Sequence, residues 1–112
     1  MATYPLSPAK QVGNLLFISG QVGQKDGQLV ADNLEDQVKQ AVANITEILK
    51  QNGMDLNNII DITAFLVEQN DYTAFNEVYS KAFTEPYPTR TTVTVKSLPL
   101  GAKVELKAIA AK

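Results

Sequence analysis

Residues 15–19 (LLFIS) form a short apolar run between Gly13-Asn14 and Gly20, the pattern of a buried strand. Asp26-Gly27 follows, and Asp-Gly supplies the positive φ of a tight hairpin turn, so residues 28–31 are predicted to return as a second strand. Leu34, Val38, Ala41, Val42, Ile45, Ile48 and Leu49 then recur at spacings of three and four, the stripe of an amphipathic helix. Asp32 and Glu35 have the spacing of a capping box at its start, and Gly53 suits its C-terminal end.

The period changes at residues 59–67 (IIDITAFLV), whose β-branched residues predict a long strand. Alternation places Ile60, Ile62, Ala64 and Leu66 on one side, and Ile59, Asp61, Thr63, Phe65 and Val67 on the other. Asp71 is in place to cap a second helix with Phe75, Val78, Tyr79, Ala82 and Phe83 on one face, ended by Pro86 and Pro88. Residues 91–95 (TTVTV) and 104–110 (VELKAIA) complete the chain as strands around a Leu98–Gly101 turn. The order β-β-α-β-α-β-β is that of an α/β protein with both helices on one sheet face. The other face, with Ile59, Phe65, Val67, Leu15 and Phe17, would be left wet in a monomer, which predicts a homo-oligomer.

The length of 112 residues fits one domain, residues 1–112, with a modest core. There is no histidine and no cysteine, which excludes thiol nucleophiles, Ser-His-Asp chemistry and the usual zinc sites. No acidic spacing of the calcium-loop kind, phosphate loop or dinucleotide fingerprint is present, so neither metal nor cofactor is indicated. The net charge is −2 and the nine lysines are well spaced, without the basic stripe that phosphate neutralisation needs. Nucleic acid is therefore not expected as a partner. No apolar stretch is long enough to span a membrane and no export signal is evident, so a soluble, cytoplasmic protein is expected.

Arg90 is the only arginine, and its planar fork suits bidentate carboxylate binding as lysine does not. Taken alone, it fits a surface ion pair as well as a ligand anchor. Glu105 lies within an apolar strand, on the side of Lys107: a general base or water-positioning group, or a solvent-facing partner of that lysine. Ser19 precedes Gly20, where a hydroxyl could approach a ligand or serve the turn. Thr92 and Thr94 share a strand face, as β-propensity alone would favour.

Taken in order, these segments resemble the RidA (YjgF-type) reactive-intermediate deaminases. Gly13-Asn14 with Ser19-Gly20-Gln21 is similar to that family's opening strand, and Phe75-Asn76 with Tyr79 and Phe83 to its second helix. Pro88-Thr89-Arg90-Thr91-Thr92-Val93 resembles its arginine segment, and Leu98-Pro99 with residues 104–110 its closing strand. The resemblance implies a chorismate-mutase-like fold with one mixed sheet, assembled as a homotrimer with ligand sites between subunits. It further implies hydrolysis of enamines and imines of the 2-aminoacrylate type to 2-keto acids and ammonia, without a cofactor. Arg90 would bind the substrate carboxylate, with Thr92, Phe17 and Gly20 beside the substrate. Glu105 would position water and Ser19 would assist by hydrogen bonding. Two positions depart from the pattern: Leu6 stands where the family has a tyrosine, and Thr92 where it has a cysteine. The alternative is a trimeric protein that senses 2-keto acids or related metabolites without turning them over.

Overall fold

The computed structural model describes residues 4–112. Seven strands and two helices follow one another as β1 (Ala9–Val12), β2 (Leu15–Val22), β3 (Gln24–Lys25), β4 (Gln28–Leu29), α1 (Leu34–Gln51), β5 (Ile59–Leu66), α2 (Tyr72–Ala82), β6 (Thr89–Thr94) and β7 (Val104–Ala111). Five strands form one sheet in the order β1-β2-β7-β5-β6, and β3-β4 is a separate hairpin. Only β5 and β6 pair in parallel, across the helix α2, so the sheet is mixed.

Both helices lie on one face of this sheet, in agreement with the apolar stripes. Leu16, Ile18, Ile62, Ala64, Leu66, Leu106 and Ala108 meet Val38, Ala41, Ile45 and Leu49 of α1 and Phe75 of α2, all essentially inaccessible to solvent. Gly53 takes φ +71° just past α1, where glycine alone is unstrained. Asp26 and Gly27 both take positive φ, as the Asp-Gly hairpin requires.

Several elements differ from the sequence expectation. The strand beside β2 is β1, not residues 28–31, which contribute only the short β4 outside the main sheet. Ala9–Val12 is almost wholly exposed, so it carries none of the apolar alternation that marks a buried strand. The cap of α1 is Asn33 rather than Asp32: Asn33 Oδ1 accepts from the Asp36 N–H at 2.8 Å, and Asn33 Nδ2 donates to Asp36 Oδ2 at 3.0 Å. The capping pair is displaced by one residue because buried Leu34 begins the helix. Asp71 stands at the start of α2 but makes no capping bond, because a 3-10 turn at Gln69–Asp71 leads into the helix instead.

Ile59 and Ile60 exchange the sides expected of them. Ile59 pairs with Ala110 and Asp61 with Ile109, so Ile60 is the extra residue of a bulge. Ile59 is consequently buried with the core and Ile60 is 47% exposed. The open face otherwise has the expected character, with Phe17 and Val93 each 39% exposed and Leu15, Phe65 and Val67 half-buried.

One buried polar residue ties the layers together. Gln37 of α1 donates from Nε2 to the Ala31 carbonyl at 2.9 Å and accepts the Lys103 N–H at Oε1, 2.8 Å. Gly23 lies so close to this turn of α1 that a Cβ would collide with the Gln37 main chain.

Candidate active site

Arg90 is the second residue of the edge strand β6. It pairs with Ile62 and so points to the helix-bearing face. Tyr72, Phe75, Asn76 and Tyr79 stand at spacings of three and four on α2, which turns all four toward it. The guanidinium carbon is 4.8 Å from the Tyr79 ring centroid, 5.2 Å from Phe75 and 5.9 Å from Tyr72. Nη2 donates to Asn76 Oδ1 at 2.7 Å, and more loosely to the Tyr72 hydroxyl at 3.5 Å. No carboxylate neutralises it: among the described residues the one ion pair joins Lys39 to Glu35 at 3.0 Å, on the outside of α1.

Two depressions flank the arginine. One, of about 330 Å³, is lined by Asn76, Tyr79, Ser80, Tyr87, Pro88 and Arg90. The other, of about 590 Å³, runs along Leu66, Tyr72, Thr73, Thr92 and Thr94. The Thr92 and Tyr79 hydroxyls, one bordering each depression, are buried without a hydrogen-bond partner among the described residues. Burial pushes the Tyr79 phenol up to about 12, outweighing the Arg90 charge that pulls it down. Tyr79 is therefore a neutral donor, not a base.

Glu105 occupies a different surface. It lies on β7, opposite Phe65 on one side and Val22 on the other, on the open face of the sheet. β2 bulges here: Ser19 and Gly20 together face the single residue Lys107 between the pairs Ile18–Ala108 and Gln21–Leu106. The bulge brings Gly20 directly against the Glu105 carboxyl, where a Cβ would overlap Oε2. Burial raises the affinity of Glu105 for its proton above that of an ordinary glutamate, the direction that suits a general base or acid.

The Ser19 hydroxyl donates to the Ser7 carbonyl at 2.6 Å, and the Ser19 N–H donates to Pro8 O at 2.9 Å. Its proton thus tethers the segment before β1, and its lone pairs remain free to accept. Phe17 lies on the same face, with Lys107 Nζ 5.9 Å from its ring, and lines a depression of about 300 Å³ with Ser7, Lys10, Ser19 and Lys107. Leu6 is 65% exposed.

The six residues singled out in the sequence thus fall into two groups. Phe17, Ser19, Gly20 and Glu105 gather on the open face. Arg90 and Thr92 gather at the β6 edge, under α2. One chain does not bring the two groups together. Sequence reasoning gave no role to Asn76, Tyr72 or Tyr87, although the 72/75/76/79 spacing marks a helix face aimed at one place. Among the described residues no three acidic side chains cluster as metal ligands, and no helix is long and apolar enough to cross a membrane.

The pattern of the family described as Endoribonuclease L-PSP matches residues 1–112. The 2-iminobutanoate/2-iminopropanoate deaminase of Mus musculus is 43% identical over 108 residues, 95% of this chain and 80% of its own. Among solved structures, RidA from an Antarctic Psychrobacter superposes with a TM-score of 0.93 at 33% identity, covering 100% of this chain and 92% of that one. E. coli TdcF with bound serine superposes at 0.91 with 34% identity, covering 99% and 91%.

Proposed function

Because the chain belongs to the Endoribonuclease L-PSP family, the family of the RidA deaminases, we propose that it hydrolyses reactive imines and enamines of 2-amino acids to 2-keto acids and ammonia. The observation that carries this reading is the state of Arg90. It is a cation fixed by neutral groups, bordering an open depression and, among the described residues, left without a carboxylate of its own. A carboxylate-bearing substrate completes it.

The chemistry asked of the protein is modest. A protonated imine is already an electrophile, so the site holds the acid group, presents a water and moves protons. Arg90 anchors the carboxylate, and Thr92 lies alongside with an unsatisfied hydroxyl. Water adds to C2, the resulting carbinolamine loses ammonia, and the 2-keto acid remains. Glu105, its proton affinity raised by burial, takes the proton from the attacking water and returns it to the departing nitrogen. Ser19 accepts a hydrogen bond from substrate or water, and Gly20 and Phe17 shape the wall. Since Glu105 lies on the other face from Arg90, the complete site pairs the β6 edge of one protomer with the open face of the next. A homotrimer supplies that arrangement three times.

The test is keto-acid formation from 2-iminobutanoate generated in situ. Acceleration that disappears in Arg90→Ala and in Glu105→Gln is the expected result. No acceleration, or acceleration that survives Arg90→Ala, overturns the reading. The position of Leu6 favours one rival, a keto-acid sensor, because a phenol of the family pattern is absent there. Calorimetry showing 2-oxobutanoate binding by a chain that turns over no imine would select it. The family's description also names RNA cleavage, which a net charge of −2 and dispersed lysines argue against.

A further inference from the structure

An arginine held for catalysis or binding is commonly fixed by a carboxylate, which also cancels its charge. Here the acceptor is an amide. Asn76 Oδ1 receives Nη2 of Arg90 at 2.7 Å, and the assignment of oxygen to that side follows from chemistry, since a guanidinium only donates. The faces of Tyr72, Phe75 and Tyr79 surround the cation, and the Tyr72 hydroxyl, at 3.5 Å from the same Nη2, is too long a contact to fix its direction. Aromatic faces attract the cation but have no preferred direction about its plane. They leave rotation of the guanidinium within that plane unspecified, and the Asn76 oxygen removes it.

We propose that Asn76 is the positioning residue of Arg90, orienting the guanidinium through a neutral acceptor so that its whole charge remains for the ligand carboxylate. This rests on the reading of Arg90 as a carboxylate anchor. An aspartate at position 76 has nearly the same shape and would make the same hydrogen bond, more strongly. It would also occupy the anchor with an internal anion. What selects asparagine at this place is therefore charge, not shape. The other side of the fork, Nε and Nη1, carries donors that the Asn76 contact does not use and that suit a bidentate carboxylate.

The chain is suited to a direct test because Arg90 is its only arginine. Labelling with 13C,15N-arginine gives one set of guanidinium resonances. In the wild-type protein the two Nη groups give separate, slowly exchanging signals. In Asn76→Leu they average, the dissociation constant for 2-oxobutanoate rises roughly tenfold or more, and KM for the imine rises more than kcat falls. In Asn76→Asp the Nη signals stay separate while 2-oxobutanoate binds more weakly than to Asn76→Leu. A merely structural role gives the opposite ranking, because aspartate preserves the contact that leucine removes. Nη signals in Asn76→Leu indistinguishable from wild type overturn the proposal, as does wild-type affinity in Asn76→Asp. A wild-type protein that neither binds 2-oxobutanoate nor turns over imine overturns the functional reading, and the Nη signals still decide whether Asn76 holds Arg90.

Discussion

Arg90 and Glu105 lie on opposite faces of one sheet, with β5 between the strands that carry them. Two groups separated by a sheet cannot act on one small molecule within the same chain. If they act together, they do so between copies.

Mixing is the direct check. Arg90→Ala and Glu105→Gln are each expected to be inactive alone. Dissociated together and reassembled at equal amounts, they regain about a quarter of the wild-type activity, since random pairing leaves one site in four with both groups intact. Activity that stays at zero in verified mixed oligomers rejects the shared site.

Gly20 is needed for closeness rather than for an unusual backbone angle. Its missing Cβ is the space taken by the Glu105 carboxyl. Gly20→Ala should therefore fold normally and displace Glu105, lowering kcat on the order of 100-fold, as an ångström of misplacement does elsewhere. A thermal melt beside the kinetics checks that the loss is local.

The raised proton affinity of Glu105 has a stability signature. The folded state holds this proton more tightly than the unfolded chain does, so the favourable contribution is complete below the pKa of an unfolded glutamate. It is lost as the pH climbs through the higher folded value. Glu105→Gln, which cannot ionise, should melt higher than wild type at neutral pH and converge with it in acid. Melting curves of the purified protein across pH 3–8 follow this, and a variant that is less stable at neutral pH contradicts the direction.

Gln37 offers a stability test remote from the chemistry. Gln37→Leu leaves the half-buried Lys103 N–H and Ala31 carbonyl without their partner. The expected cost is about 1–3 kcal/mol in denaturant unfolding. Activity per folded molecule should change little, although Lys103 directly precedes β7.

The period-3.6 and period-2 segments were legible in the sequence because their apolar faces are the core itself. Leu34 to Leu49 and Ile62 to Leu66 are buried where the pattern places them. β1 was not legible, since its side chains face water and its hydrogen bonds belong to β2. The inversion at Ile59 and Ile60 was hidden because two adjacent isoleucines fit either side, and only the bulge against β7 decides. Arg90 and Glu105 could be singled out by residue type and by family resemblance. That they occupy opposite faces follows from the pairing register, Arg90 beside Ile62 and Glu105 beside Phe65, which no local pattern contains. Asn76, quoted only as part of the second-helix resemblance, was given no role for a similar reason: an asparagine on a helix carries no signal until the strand beneath it is known.

The edge strand β6 has one further consequence. Among the described residues its outer backbone groups pair with no strand of the main sheet, and the open face carries exposed apolar side chains, Val93 on β6 itself and Phe17 farther off on β2. A chain separated from the proposed assembly therefore presents a template for strand addition on a sheet whose open face carries exposed apolar side chains. Substitutions that weaken assembly should show themselves in cells as insoluble protein and reduced abundance, rather than as a pool of free, inactive monomer.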